Sequence, residues 1–154
     1  MSQYAIRVSA AILRPGNELL VVRQLDRGLE RINLPGGEPH FNESLPQALV
    51  REVWEETGFR TVPTEIAFVA EGQSERWPDP IVEICFYAQI QGRTDPPDRT
   101  GEHIISIEWL TLDDPELLRF IPHVAEFRSS KRGRYVDRTA TTTDRGARQH
   151  SGLP

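Results

Sequence analysis

Cysteine and methionine are nearly absent: Cys85 and Met1 are the only ones among 154 residues. A lone cysteine excludes an intramolecular disulfide and a zinc site built on several thiolates. Cys85 lies in an apolar run and reads as small packing material. Long apolar runs are missing too. No stretch approaches the roughly 18 consecutive apolar residues of a membrane-spanning helix, and Met1 to Arg7 lacks a basic segment followed by an apolar one. Neither a membrane helix nor a secretory leader is expected, which makes a cytoplasmic address the default. No internal repeat is visible. What is present is ordinary for a globular chain: 38% hydrophobic and 27% charged residues, in a length that fits one domain with its own core.

Negative charge prevails, but unevenly. The formal net charge is −5. Residues 128–154 carry seven Arg or Lys against two Asp, whereas residues 1–127 carry eleven basic and twenty-one acidic side chains. An acidic body argues against broad nucleic-acid binding. The expected division is a folded domain over residues 1–127 and a basic polar tail over 128–154, either mobile or in contact with a second copy in a homodimer.

Two apolar runs, Tyr4 to Leu13 and Glu18 to Gln24, flank Arg14-Pro15-Gly16-Asn17, and this spacing predicts a hairpin. Asp26 to Arg31 reads as a polar loop. It leads through Ile32-Asn33-Leu34 into Pro35-Gly36-Gly37, where the backbone can take conformations closed to bulkier residues. A helix is predicted over Leu45 to Thr57. Ser44 as N-cap with Gln47 three residues on makes a capping box, Pro46 falls in the first turn, and Gly58 supplies the stop. Thr64 to Glu71, Ile81 to Ile90 and His103 to Leu110 read as strands, and Asp114 to Phe127 as a second helix broken near Pro122. Tyr135-Val136-Asp137 is a candidate edge strand or subunit contact. The mixed order of elements suggests an α+β or three-layer domain on one mixed sheet.

The first helix carries the informative chemistry. Projected at about 100° per residue with Glu52 at zero, Glu55 falls near −60° and Glu56 near +40°, so three carboxylates share one narrow face. Leu49, Val50, Val53, Trp54 and Thr57 fill the arc read as core-facing. Glu52 with Glu55 and with Glu56 are like-charge pairs that cost about 0.2–0.5 kcal/mol each. The last turns of a helix also favour cations. Clustered oxygen ligands on a rigid element are, however, what a hard divalent cation needs, and such an ion turns the repulsion into coordination. On the three glutamates alone a solvated acidic face is an equal reading. Their neighbours break the tie: a glycine loop can bring backbone close to a ligand, and Glu43 and Arg51 add a carboxylate and a guanidinium suited to bidentate pairing.

Together these residues resemble the Nudix box, the signature of a family of hydrolases acting on diphosphate linkages. The family pattern is glycine, five residues, glutamate, seven residues, then Arg-Glu-apolar-x-Glu-Glu-x-Gly-apolar. Gly37, Glu43, Arg51, Glu52, Val53, Glu55, Glu56, Gly58 and Phe59 meet it, Phe59 being aromatic where an aliphatic residue is more usual. The resemblance extends to Leu34-Pro35-Gly36 before the box and to the hairpin, the long strand and the Trp109 strand around it. It implies an α/β/α sandwich with a central mixed β-sheet and a loop-helix-loop that holds magnesium or manganese. Glu52, Glu55 and Glu56 would be the ligands, with the backbone carbonyl of Gly37 as a further one. Arg51 would orient a box glutamate, Glu43 or Glu55. The implied activity is hydrolysis of the diphosphate bond in a small molecule that joins a nucleoside diphosphate to another group, by attack of a metal-activated water. Glu52 is the first choice of base for that water and Glu102, in the loop before the Trp109 strand, the second.

Two rival functions stay in view. A catalytically silent nucleotide sensor has no need of the complete carboxylate set, and no helix-turn-helix is evident to support it. A triphosphate pyrophosphohydrolase that sanitises the nucleotide pool is barely distinguishable at this level. Gly36, Gly37, Asn33 and Trp77 are candidate substrate contacts. Trp77, among Arg76, Pro78 and Asp79, could stack on a base, an interaction of about 1–3 kcal/mol, although a packing or dimer-contact role is the favoured reading. Asn33 either lines the pocket or caps the loop. His40, His103 and His123 are scattered without metal-ligand spacing and His150 falls in the tail, so none is assigned a role. Trp54 and Trp109 are read as core. Pro78 and Pro80 lie farther beyond the box than the proline that accompanies ADP-ribose activity in the family.

Overall fold

The computed structural model describes residues 4–72, 80–96, 104–121, 127 and 134–137. In β1 (Ala5–Ala11) Val8, Ser9, Ala10 and Ala11 are all buried, so both faces are covered and the strand has to be central. It lies between β5 (Gly36–Gly37), antiparallel, and β7 (Ile81–Arg93), parallel. β7 pairs antiparallel with β6 (Phe59–Gly72), and β6 carries β9 (Arg134–Asp137) in parallel. The result is a five-stranded mixed sheet in the order β5-β1-β7-β6-β9. A second sheet is antiparallel and centred on β3 (Glu18–Asp26), which pairs with β2 (Leu13–Arg14), β4 (Leu29–Asn33) and β8 (Ile104–Thr111).

Successive side chains of a strand point to opposite faces, and β1 shows what each face meets. Val8, Ala10 and Ile12 cluster with Ala48, Leu49 and Val53 of α1 (Leu45–Thr57) and with Leu20 of β3. Ala11 joins the other cluster, with Cys85, Phe68, Leu19 and Val21, beneath Leu117 of α2 (Pro115–Phe120) and Phe127. The layers are therefore α/β/α, with mixed pairing in the middle, as expected. No helix among the described residues is long and apolar enough to cross a membrane.

The α1 signals act as read. Ser44 Oγ accepts from the Gln47 N–H at 3.3 Å while Gln47 Oε1 accepts from the Ser44 N–H at 2.9 Å, and Gly58 closes the helix at φ 76° with its N–H on the Trp54 carbonyl. Elsewhere the structure corrects the reading. The predicted hairpin is confined to Leu13–Arg14 against Glu18–Leu19. Its turn is where Gly16 and Asn17 allow positive φ, at 94° and 56°, but β1 pairs in the other sheet, between β5 and β7. Asp26 to Arg31 is no loop: Arg27 and Gly28, at φ 50° and 80°, make a two-residue turn of the left-handed kind that hairpins favour, and β4 follows at once. One mixed sheet was expected where two sheets are found.

β6 starts directly after α1, and its register to β7 slips between Pro63 and Phe68, where proline brings no N–H to the ladder. The second helix spans only Pro115–Phe120, capped by Asp114, whose Oδ1 accepts from the Glu116 N–H at 2.8 Å. Residues 122–126 of its predicted span lie outside the described residues. Tyr135-Val136-Asp137 does form an edge strand, as part of β9.

Candidate active site

The acidic face of α1 is not its solvent face. The buried residues of the helix are Ala48, Leu49, Val53, Glu56 and Thr57. On the helical wheel Ala48 lies near −40° and Thr57 near 140° from Glu52, so Glu52 and Glu56 fall inside the buried arc. Val50 and Trp54, read as core-facing, fall outside it. Trp54 is half-buried, donates its Nε1–H to Thr94 Oγ1 at 2.9 Å, and lies under the Arg60 guanidinium at 4.2 Å. Trp109 does pack against the α1 core, with the Arg14 guanidinium 4.3 Å from its ring centre. Cys85 is fully buried, as packing material should be.

What α1 packs on explains the shift. Gly36 and Gly37 run between β1 and the helix, with Gly37 opposite Val8 and Gly36 opposite Ser9. A Cβ on Gly36 would collide with the Val8 carbonyl oxygen, and one on Gly37 with the Glu52 carboxylate. Glycine is needed here for close approach. The Gly36 N–H donates to Glu56 Oε2 at 2.8 Å, and Glu56 is only 8% exposed. A backbone donor on the neighbouring strand thus holds the most buried of the three carboxylates.

Arg51 gathers the others. Its Nε and Nη2 donate to the two oxygens of Glu43, each at 2.9 Å, as a bidentate fork. Its Nη1 donates to Glu52 Oε1 at 2.8 Å and to Glu55 Oε2 at 3.2 Å, and Nη2 reaches the Glu38 carbonyl at 3.1 Å. The choice between Glu43 and Glu55 as its partner dissolves, since it holds both, and Glu52 besides. Glu43 also accepts the His40 N–H at 2.9 Å. The Arg51 guanidinium, aided by that N–H, brings the Glu43 carboxyl down to about 2, while Glu43 in turn raises Arg51 above the ordinary arginine range.

The donor set suits a hard divalent ion. Its ligand atoms are all oxygen, the preference of magnesium and manganese. The bonds to Arg51 occupy one oxygen of Glu52 and one of Glu55, and the Glu52 carboxylate fills the space that any Gly37 side chain would need, so glycine backbone and carboxylate meet. As they stand, no three His, Cys, Asp or Glu side chains close into a ligand group among the described residues. Arg51 draws Glu52 and Glu55 to itself while Gly36 keeps Glu56. Asn33 ends β4, half-buried and opposite Val22. Glu102, Trp77, His103, His123 and His150 lie outside the described residues. The sequence reading missed the Gly36 N–H and the Glu38 carbonyl, since backbone groups leave no mark on residue type.

The NUDIX domain model matches residues 3–130. The chain belongs to the NUDIX family. It is 30% identical over 111 residues to a MutT-like protein of Streptomyces ambofaciens, covering 72% of this chain and 66% of that protein. The chain therefore spans just under two thirds of that relative's length. A solved NUDIX hydrolase from Nitrosomonas europaea is similar in fold, with a TM-score of 0.75 and 21% identity over 85% of this chain and 93% of that one. The MutT protein of Methanosarcina mazei Go1 gives a TM-score of 0.61 and 26% identity over 84% of this chain and 98% of that one. The glycine loop, α1 and the Arg51 cluster are the NUDIX box of this protein.

Proposed function

We propose that this NUDIX protein hydrolyses the diphosphate linkage of a small molecule in which a nucleoside diphosphate is joined to another group, with magnesium or manganese as cofactor. The observation that carries the reading is Gly37 seated against the Glu52 carboxylate while Arg51 binds Glu43, Glu52 and Glu55 together. A merely solvated acidic face would turn to water. Here two of the three helix glutamates point into the fold instead.

Glu52, Glu55 and Glu56, with the Gly37 carbonyl, would hold the cation. When bound, the ion supplies positive charge against the diphosphate oxygens and makes a water easier to deprotonate. Glu52 takes the proton of the attacking water, and Glu102 is the second candidate for that task. Arg51 fixes the orientation of Glu52. Glu43 fixes Arg51 in turn and stays charged throughout the neutral range, because its carboxyl is held near 2.

Glu52→Gln tests this. With magnesium and a panel of nucleoside diphosphate compounds, product release followed by chromatography should fall by about 10²–10⁴-fold, with circular dichroism unchanged. Turnover retained at saturating magnesium would remove Glu52 both as base and as essential ligand. Tight nucleotide binding by the unaltered protein with no product would favour the sensor.

A further inference from the structure

Two features beside α1 lie outside the glutamate cluster. One is a knob: Phe41, in the turn before the helix, is 94% exposed. A single exposed apolar residue is ordinary, but the turn that presents this one is fastened at both ends. The His40 carbonyl accepts the Glu43 N–H at 3.1 Å, the Glu43 carboxylate accepts the His40 N–H at 2.9 Å, and Asn42 between them takes φ 68°. The same carboxylate is forked on Arg51. The ring thus stands in solvent on backbone that is already ordered, which lowers the cost of covering it.

The other feature is a groove of about 500 Å³ between α1 and the start of β6, with apolar walls of Pro46, Val50, Trp54 and Pro63 and with Arg60 also lining it. On the helical wheel Val50 lies about 160° and Trp54 about −160° from Glu52, so the groove runs along the flank of α1 opposite the carboxylates. Phe41 does not fill the groove of its own chain. A charge accompanies each feature, and neither has an ionic partner among the described residues. Near Phe41 it is the exposed Glu38 carboxylate. In the groove it is exposed Arg60, whose guanidinium stacks on Trp54 at 4.2 Å and donates its Nε–H to Thr94 Oγ1 at 3.0 Å.

We propose that a second copy of this chain docks here, the Phe41 ring of each protomer entering the groove of its partner. A twofold contact is self-complementary: where one residue meets a second across the interface, the second meets the first in return. With the two α1 helices antiparallel, Gln47, which also lines the groove, falls near the axis. Phe41 precedes Gln47, and Val50 and Trp54 follow it at similar distances along the chain, so the reversal carries each ring to the other groove. Glu38, beyond Phe41, then approaches the partner's Arg60, beyond Trp54, and the two unpaired charges are of opposite sign. A different protein would have to offer a knob, a hole and both charges in matching order; this chain carries all four. Because the groove flank lies opposite Glu52 on the helix, the pairing leaves the glutamates open, and it does not depend on the diphosphate reading.

Sedimentation velocity of the full chain, from micromolar to several hundred micromolar, tests this. The unaltered protein should pass from monomer to dimer within that range. Phe41→Ser should weaken the dimer by about 30-fold or more with circular dichroism unchanged, since a buried aromatic anchor dominates an interface and the symmetry removes two at once. Glu38→Arg and Arg60→Glu should each weaken association severalfold, while the two together in one chain should restore it, which damage to the fold would not do. An unaltered protein that stays monomeric throughout overturns the proposal. So does a dimer that Phe41→Ser leaves intact, or a folded double variant that associates no better than either single one. A monomeric protein in which Phe41→Ser raises KM would assign the ring to the substrate instead and overturn the docking.

Discussion

Gly37→Ala isolates the contact on which the proposed activity rests. The new methyl group would occupy the space of the Glu52 carboxylate, which is the far end of a flexible side chain and can swing away. Swinging away forfeits the 2.8 Å bond from Arg51. A hydrogen bond between charged groups contributes about 1.5–3 kcal/mol, and with the two side chains 19% and 14% exposed the lower end applies. Stability should drop by about 1.5 kcal/mol, or roughly 3–6 °C in melting temperature for a chain of this size. Arg51 keeps its fork on Glu43, so the loop stays in place. Activity suffers far more, because shifting a reacting group by about an ångström costs on the order of 10²-fold. Gly36→Ala is the contrast. Its Cβ would run into the Val8 carbonyl oxygen and lie 2.7 Å from Ser9 Cα, backbone atoms that cannot swing, at a φ of 148° that other residues rarely adopt. It should lose several kcal/mol and its β1–β5 pairing. Thermal melts with steady-state kinetics separate the two. Near-normal kcat in Gly37→Ala alongside the expected drop in melting temperature would refute the argument that Glu52 has to stand where it does.

Two further outcomes concern the ion pairs and a third the cation. Glu43 is lowered from 4.5 to about 2 in the folded protein, so its contribution to stability is complete above pH 4.5 and lost as the pH falls toward 2. Melting temperature across that window should fall less steeply in Glu43→Gln, which has no carboxyl to protonate; identical slopes would show no such linkage. Arg23 donates to both oxygens of Glu108, at 2.6 and 3.0 Å, and to both of Glu116, at 2.8 Å each, tying β3 to β8 and α2. Arg23→Met leaves two carboxylates facing each other, and because these are 27% and 39% exposed the cost is below that of a fully buried pair, about 2 kcal/mol by urea denaturation, with KM unchanged. A loss under about 0.5 kcal/mol would reduce this network to a surface feature. Chelating the divalent cation should abolish turnover and leave circular dichroism intact, and magnesium at about 100 times its Kd should add about 2.7 kcal/mol to stability. Unfolding on chelation would mean that the ion is structural.

The helix was the most legible part of the molecule, because its signals are local. Ser44, Gln47, Pro46 and Gly58 act within one turn of themselves, and each does in the fold what its type prescribes. The glycine-to-glutamate spacing was legible for a similar reason: it lies along one short loop and one helix. Legibility failed where partners are distant in sequence. β1 looked like half of a hairpin because its next apolar run was β3, whereas its true neighbour β7 begins 70 residues after β1 ends. Arg27 hid a turn because only Gly28 advertises positive φ. Trp54 looked like core because a helical wheel shows which residues share a face but not which face meets the sheet. The wheel also left Glu56 outside the arc read as core-facing, although the Gly36 N–H holds it across the gap.

That last error changes the physical case for the cation. Three like charges on one face and no basic residue in the last turn of α1 look untenable without an ion to join them. Yet Arg51, on the same helix, already binds two of them, and a backbone N–H on β5 binds the third. The fold therefore does not need the ion to tolerate the cluster. What Arg51 cannot do is take a proton: a guanidinium stays protonated throughout the working range, so it can orient a carboxylate but cannot act as the base for a water. On the proposed reading, Arg51 keeps two glutamates aligned for a divalent cation that would supply the second positive charge. On that reading the cluster is preorganised: its cost is met at folding and its geometry is in place before substrate arrives.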